Sequence, residues 1–245
     1  DLEWASVYTF ACQRMDAFRH GRVLFAGDAA HGVSPFGARG ANSGLQDAEN
    51  LAWKLAAVLR RQAPDALLDS YAREREMAAD ENILNSTRAT DFITPKSEIS
   101  RLFRDAVLQL ASRHDFARRM VNSGSMSVPA TLHGSALNNE DADGFAGRMV
   151  PGAVAADAPV RDGWLLRRLG STRFAALVFG EGEGAQASLR ALAAADLPLQ
   201  VERVPLDAAH ALAAARYDAQ DGTTYLLRPD QHVCARWRRP TAAAL

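Results

Sequence analysis

Cysteine is scarce. Cys12 and Cys234 are the only two, far apart, and no CxxC occurs. Such a pair builds neither a disulfide framework nor a zinc site, so two reduced thiols in a cytoplasmic protein and no bound metal are expected. Charge of one sign is not in excess either: 28 Lys and Arg stand against 29 Asp and Glu. That balance removes the bulk electrostatic case for nucleic acid or an anionic membrane surface as partner. The short basic run Arg236, Arg238, Arg239 reads as a solvated face. No stretch approaches the roughly 18 apolar residues of a membrane span. The opening "DLEWASVYTF" lacks a basic region followed by an apolar run, so no signal peptide is expected.

What is present is ordinary globular material. At 245 residues and 48% hydrophobic, the chain suits one large domain or two small ones with a real core. Val7 to Phe10 favours a short strand, and Val23-Leu24-Phe25-Ala26 reads as a buried strand ended by Gly27-Asp28. From Leu45 the positions Leu45, Ala48, Ala52, Leu55 and Leu59 step by three and four. That predicts one apolar helical stripe, with Asp47, Glu49, Lys54 and Arg60 mostly off it. Pro64 stops this helix, and Asp65 can cap a second that runs toward Ala89. "SEISRLFRDAVLQLASR" reads as a third, with Ser97 and Glu98 in its first turn. The charged faces from Asp65 to Asn122 read as solvent-exposed, which leaves a second subunit open as their partner.

From residue 123 to 162 Gly, Ser, Asn, Asp and Pro dominate without sustained period, so this stretch is expected to be a linker or cover. Residues 163–245 then predict β-α-β-α-β-β: strands at Phe174–Phe179, Leu199–Val204, Thr223–Arg228 and His232–Trp237, and helices at Gly184–Ala195 and Ala208–Ala215. "RPDQ" is the turn between the last two strands.

The densest chemistry lies in "RVLFAGDAAHGVSPFGARGANSGL". A strand delivers Asp28 to its C-terminal end, where open α/β sheets bind ligands. Gly37, Gly40 and Gly44 allow close backbone approach. A helix start near Asn42 or Ser43 offers unpaired amides and the positive end of a dipole. An acid for hydroxyls beside a helix start for negative charge describes a nucleotide-like cofactor better than a free phosphate. Asp28, His31 and Ser34 do not read as a nucleophilic triad, since no nucleophile elbow accompanies them. His31 reads as a packed or loop-bonding histidine. "GEGEGAQASL" follows a strand and precedes a helix but reads as a turn and helix start.

"GRVLFAGDAAH…PFGARGANSGLQDAENLAWKL", extended by "VYTFACQRMDAFRHGR" before and "LLDSYAREREMAADE" after, resembles the second FAD-binding motif of the class A flavoprotein aromatic hydroxylases, of the phenol and hydroxyphenylpropionate type. The segments "RLGSTRFAALVFG" and "YLLRPDQHVCARW" resemble the thioredoxin-like tail of that branch, here without CxxC. The resemblance implies an α/β fold. Residues 1–122 would be the C-terminal part of a Rossmann-like FAD-binding domain with a helical segment, 123–162 a linker, and 163–245 a small thioredoxin-like domain. It implies that Asp28 binds a ribityl hydroxyl, that Gly27 lets the chain pass close to FAD, and that Pro35 sits on the substrate side of the ring. Gly37 and Gly40 would shape the loop, and the amides of Ala41 and Asn42 would face the N1–C2=O2 edge, which turns negative on reduction. The activity implied is NAD(P)H-using monooxygenation of a phenolic or related aromatic compound with O2, through a C4a-hydroperoxyflavin.

The family's first FAD motif, GxGxxG with an acid about 20 residues later, is not in this sequence. Nor is its middle DG motif, and the chain does not open with Met. The chain is therefore expected to be the C-terminal portion of such an enzyme and inactive alone. Two further readings stand: a non-catalytic remnant or dimerisation module, and a flavoprotein oxidase or epoxidase of the same superfamily. No catalytic base, substrate identity or choice of NADH over NADPH follows from these residues.

Overall fold

The computed structural model describes residues 3–121, 129–194 and 199–243. Residues 123–128 of the expected linker, and Ala195 at the end of an expected helix, lie outside the described residues. The chain divides into two compact units: Asp1–Leu51 with Tyr71–Ala130, and Ala52–Ser70 with Thr131–Leu245.

The first unit opens on extended chain. Val7 to Phe10 forms no strand, and Val7 and Tyr8 are exposed, so nothing there selects a pairing partner. β1 (Gln13–Arg14) pairs antiparallel with β4 (His31–Gly32), and β2 (Arg19–His20) with β3 (Val23–Leu24). Gly21, at φ +61°, makes the tight turn between β2 and β3. The buried strand expected at Val23–Ala26 is thus a two-residue piece with Val23 exposed. Among the described residues its only ladder partner is β2. α1 (Arg39–Leu59) and α2 (Leu67–Ile93) are the long elements, and each contributes to both units. Phe18, Ala30, Tyr71 and Ala79 form the apolar core of this unit. α3 (Glu98–Ala111) starts where Ser97 accepts the amide of Ser100 at 3.1 Å, as expected of a cap. α4 (Asp115–Val121) follows. The expected stripe of α3 is not a core face: Ile99, Leu102 and Phe103 are exposed, and Val107 is its buried residue.

α1 turns the other way from its apolar stripe. Leu45 and Leu59 are exposed, whereas Ser43, Asp47, Asn50 and Lys54, spaced four, three and four, are the buried face. α2 likewise buries Glu74, Arg75 and Asn82 beside Tyr71 and Ala79. Of the charged faces expected to meet solvent, Glu74 and Arg75 are therefore interior, whereas Arg73, Asp80 and Glu81 and the charged residues of α3 and α4 are largely exposed. Periodicity of apolar residues misses the buried ones because hydrogen bonds, not area, satisfy this face.

The second unit follows the expected order closely. β5 (Pro159–Val160) and β6 (Gly163–Trp164) form a small hairpin. Then come β7 (Ala175–Phe179), α5 (Glu183–Ala194), β8 (Gln200–Val204), α6 (Ala211–Arg216) preceded by a 3-10 turn, β9 (Thr224–Leu227) and β10 (Val233–Trp237). The sheet order is β10-β9-β7-β8, with β7 parallel to β8 and the other pairs antiparallel. β7 is buried along its whole length, as a central strand with both faces covered must be. Leu177, Phe179, Tyr217 and Tyr225 pack on one face; Ala176, Val178, Ala185 and Leu192 on the other.

Residues 131–162 have little regular structure but are packed into this unit. Asn139 donates to Cys234 O at 2.7 Å, Gly152 to Val233 O at 2.7 Å and Ala155 to Gln231 O at 2.8 Å. Gly152 must be glycine, because its φ is +93° and a Cβ would meet Leu132 O at 2.6 Å. Of the basic run expected as a solvated face, Arg239 is exposed but Arg236 and Arg238 are packed. Arg236 is buried and chelates Asp141 at 2.9 and 2.6 Å, and Arg236 and Arg238 both lie over the ring of Phe145. In the same unit Trp53, on the second half of α1, donates to Asp230 at 3.0 Å and meets Phe174 edge-on. Asp230 is itself gripped by Arg228 at 3.0 and 2.6 Å. Burial alone would raise this carboxyl, but His232 and Arg228 hold it far below the usual range.

Candidate functional site

In the first unit a cleft of about 560 Å³ opens at the start of α1. Asp28, Pro35, Gly40, Ala41 and Asn42 line it, together with Arg39. Asp28 is exposed, on a 3-10 turn over Gly27–Ala29. Gly27 and Gly37 stand outside the lining. Gly37 and Ala38, at φ +94° and +51°, are two successive left-handed residues that turn the chain into α1. The turn closes where Ala38 donates to Pro35 O at 3.2 Å.

α1 begins at Arg39, three or four residues before the start expected at Asn42 or Ser43. The amides a helix leaves unpaired at such a start are then those of Arg39, Gly40 and Ala41. Asn42 is one position too far for its amide to be free. Its side chain instead donates to Ala38 O at 2.8 Å and closes the first turn. The cleft thus joins an acceptor, Asp28, to a row of unpaired donors at the positive end of a 21-residue helix.

Behind the cleft lies a buried ionic cluster. The carboxylate of Asp47 is fully buried. Its Oδ2 accepts the amide of Gly27 at 2.9 Å and faces His31 Nε2 at 2.7 Å; its Oδ1 accepts Arg75 Nε at 2.6 Å. Burial alone would raise the Asp47 carboxyl. The His31 bond, the Arg75 charge and the Gly27 amide outweigh it and hold the group below the usual carboxylate range. His31 stacks on Phe18 with ring centres 5.7 Å apart. Of the two expected readings, packed or loop-bonding, it takes the packed one, with its bond made to α1. Asp28, His31 and Ser34 form no triad: His31 pairs with Asp47, and Ser34 bonds Ser86 at 2.6 Å and Thr90 at 2.8 Å. Apolar spacing alone does not single out Asp47 and Arg75. The signal for Asp47 is that Ser43, Asp47, Asn50 and Lys54 repeat at core spacing although all are polar.

The glycines of "GEGEG" serve the protein's own carboxylate. Asp221 accepts the amides of Gly182 at 2.9 Å and Gly184 at 2.8 Å, and so fills the anion position at the start of α5. A Cβ on Gly184 would meet Asp221 O at 2.5 Å. Among the described residues no cluster of His, Cys, Asp and Glu could hold a metal, and no helix is long and apolar enough to cross a membrane.

Residues 1–86 match the family model described as "FAD binding domain". Over 106 residues, 43% of this chain, the sequence is 46% identical to a 3-(3-hydroxy-phenyl)propionate/3-hydroxycinnamic acid hydroxylase of Mycolicibacterium smegmatis, covering 19% of that protein. Over 96% of the chain it is 32% identical to a 12-dehydrotetracycline 5-monooxygenase/anhydrotetracycline 6-monooxygenase of Streptomyces rimosus, covering 43% of it. Among solved structures, the rebeccamycin biosynthetic enzyme RebC with reduced flavin matches at a TM-score of 0.67 and 30% identity, over 93% of this chain and 44% of that one. The chain spans less than half the length of these relatives. The first unit presents its cleft within the matched residues.

Proposed function

We propose that this chain forms one wall of the FAD site in an NAD(P)H-using monooxygenase that hydroxylates a phenolic or related aromatic compound. The observation that carries the reading is that Asp28 and the first three residues of α1, Arg39, Gly40 and Ala41, line one cleft. The donor set fits a flavin: an acid accepts ribityl hydroxyls, and helix-start amides favour the ring edge that gains negative charge on reduction. Bound there, FAD would supply the chemistry that places one atom of O2 on the ring at the expense of NAD(P)H. The residues bind, orient and exclude water. Asp28 holds the ribityl chain, Gly27 and Gly37 shape the loop, Pro35 stands toward the substrate, and Gly40, Ala41 and Asn42 form the helix start. The relatives' names support the aromatic substrate class.

The second unit we read as a thioredoxin-like domain without redox function. Its β7-α5-β8-α6-β9-β10 order and mixed sheet support this, and the absence of CxxC argues against thiol exchange. Two free thiols support a cytoplasmic setting. The exposed Ile99, Leu102 and Phe103 of α3 favour a second subunit as partner.

The test is purification of the protein that carries this chain, followed by O2 uptake and NADH or NADPH oxidation with a panel of phenols. A yellow protein whose O2 uptake depends on a phenol, and whose flavin binding is weakened in Asp28→Ala, supports the reading. A colourless protein that neither retains added FAD nor consumes O2 overturns it.

A further inference from the structure

Two of the three partners of Asp47 come from one loop. Oδ2 meets the amide of Gly27 and the ring of His31, the residues that flank Asp28 on either side. Oδ1 meets Arg75 of α2. Asp47 also stands on α1 itself, about 10 Å down the helix axis from Gly40 at 1.5 Å per residue. One carboxylate therefore ties the loop that carries the hydroxyl acceptor to the helix that carries the unpaired amides. The loop has few other anchors of this kind. The residue preceding its 3-10 turn, Ala26, provides no side-chain cap. Tyr71 of α2 holds the approach to the loop, donating to Phe25 O at 2.5 Å.

We propose that Asp47, acting through His31 and Gly27, is the positioning residue that sets the height of Asp28 against the first turn of α1. The inference rests on the flavin reading of the cleft and deepens it. An ordinary buried ion pair would stabilise the unit and leave the cleft indifferent. Here both lone-pair directions of one oxygen are spent on the two ends of a five-residue turn, Gly27 to His31, with the cleft-lining acid inside it. Arg75 keeps that oxygen's carboxylate ionised and oriented. The device converts helix position into loop position: where α1 moves, Asp28 moves with it.

The experiment is a double-mutant cycle on FAD affinity, read by flavin fluorescence quenching in the protein that carries this chain, with the flavin midpoint potential as second readout. His31→Phe keeps the stack on Phe18 and removes the donor to Asp47. It should weaken FAD about tenfold and shift the potential, the loss expected of one hydrogen bond to a charged group. In an Asp28→Ala background the same substitution should cost nothing more. His31→Gln, which can still donate to Asp47, should restore most of the affinity. His31→Asn, too short to reach Asp47, carries the same comparison if the Phe variant does not fold. Losses that multiply across the cycle, or an unchanged affinity and potential in a folded His31→Phe or His31→Asn protein, overturn the inference and leave the flavin reading intact. Absence of FAD binding in the unsubstituted protein overturns both, and is a different pattern.

Discussion

A Cβ on Gly44 would stand 3.4 Å from the Cα of Gly27. The start of α1 and the loop bearing Asp28 meet there backbone to backbone. The two glycines are needed for different reasons, so alanine should separate them. Gly27→Ala forces a side chain onto φ +59°, which costs about 1–2 kcal/mol. Gly44→Ala meets only ordinary contact and regains up to about 1 kcal/mol of helix propensity. Urea unfolding of both variants checks this, and a Gly27→Ala protein as stable as the Gly44→Ala protein would sink it.

Asp47→Asn leaves the Arg75 guanidinium buried without a charged partner and should cost about 3–5 kcal/mol. The pH dependence has a definite sign. The folded-state carboxyl is held below its unfolded value, so the stability it contributes is full above about pH 4 and is lost as pH falls through the folded value. Asp230 adds a contribution of the same sign. Thermal melts from pH 6 to 3 should fall steeply for the unsubstituted protein and less steeply for Asp47→Asn. Parallel slopes would count against the linkage.

How far the sequence could be read depended on what satisfied each face. The second unit obeys area. Its buried strand Ala175–Phe179, its Ala-rich helix and its "RPDQ" turn all fall within a residue or two of where composition and turn chemistry put them. The cleft was legible as a set, because Asp28, Pro35, Gly40, Ala41 and Asn42 share one loop and one helix start. What could not be read was the wall behind it. Asp47, Asn50, Glu74 and Arg75 are interior because they bond one another or their neighbours, and a count of apolar spacing scores such residues as surface. Arg236 misleads likewise: Asp141, Phe145 and the carbonyl of Met149, some 90 residues upstream, make it a core side chain.

Asp221 closes the start of α5 against outside anions. Asp221→Ala should cost about 1–2 kcal/mol as a lost cap, and should also create a weak phosphate site at the freed amides of Gly182 and Gly184. Phosphate should therefore raise the melting temperature of the variant and not of the unsubstituted protein. An equal response in both would refute it.

Arg236→Met keeps the length over Phe145 but strands Asp141. The expected loss is about 2–4 kcal/mol, concentrated in residues 139–153, whose amides should exchange faster while those of β7 stay protected. Hydrogen exchange followed by mass spectrometry resolves the two segments. Uniform loss across the sheet would contradict a local role.

The two thiols should differ in reach. Cys234 is buried on β10 and its thiol is pushed up to about 12 by burial, whereas Cys12 is half-buried. A disulfide reagent at pH 8 should titrate one thiol in the native protein and two in denaturant. Two fast thiols in the native state would show that β10 opens readily.

The irregular chain along β10 settles where this sheet can grow. A free sheet edge recruits any passing extended chain, and fibrils begin that way. Here Asn139 and Gly152 donate to Cys234 O and Val233 O of β10, and Val233 donates to Ala153 O. Recruitment is left to β8, the other border of the sheet, where Glu202 is engaged by Arg168 at 2.9 Å and Arg203 points outward. A newcomer there would meet two charged side chains at consecutive positions, one on each face of the strand. The glycine-rich, featureless stretch of sequence thus acts as a plug against self-assembly, and deleting it should turn a well-behaved chain into a sticky one.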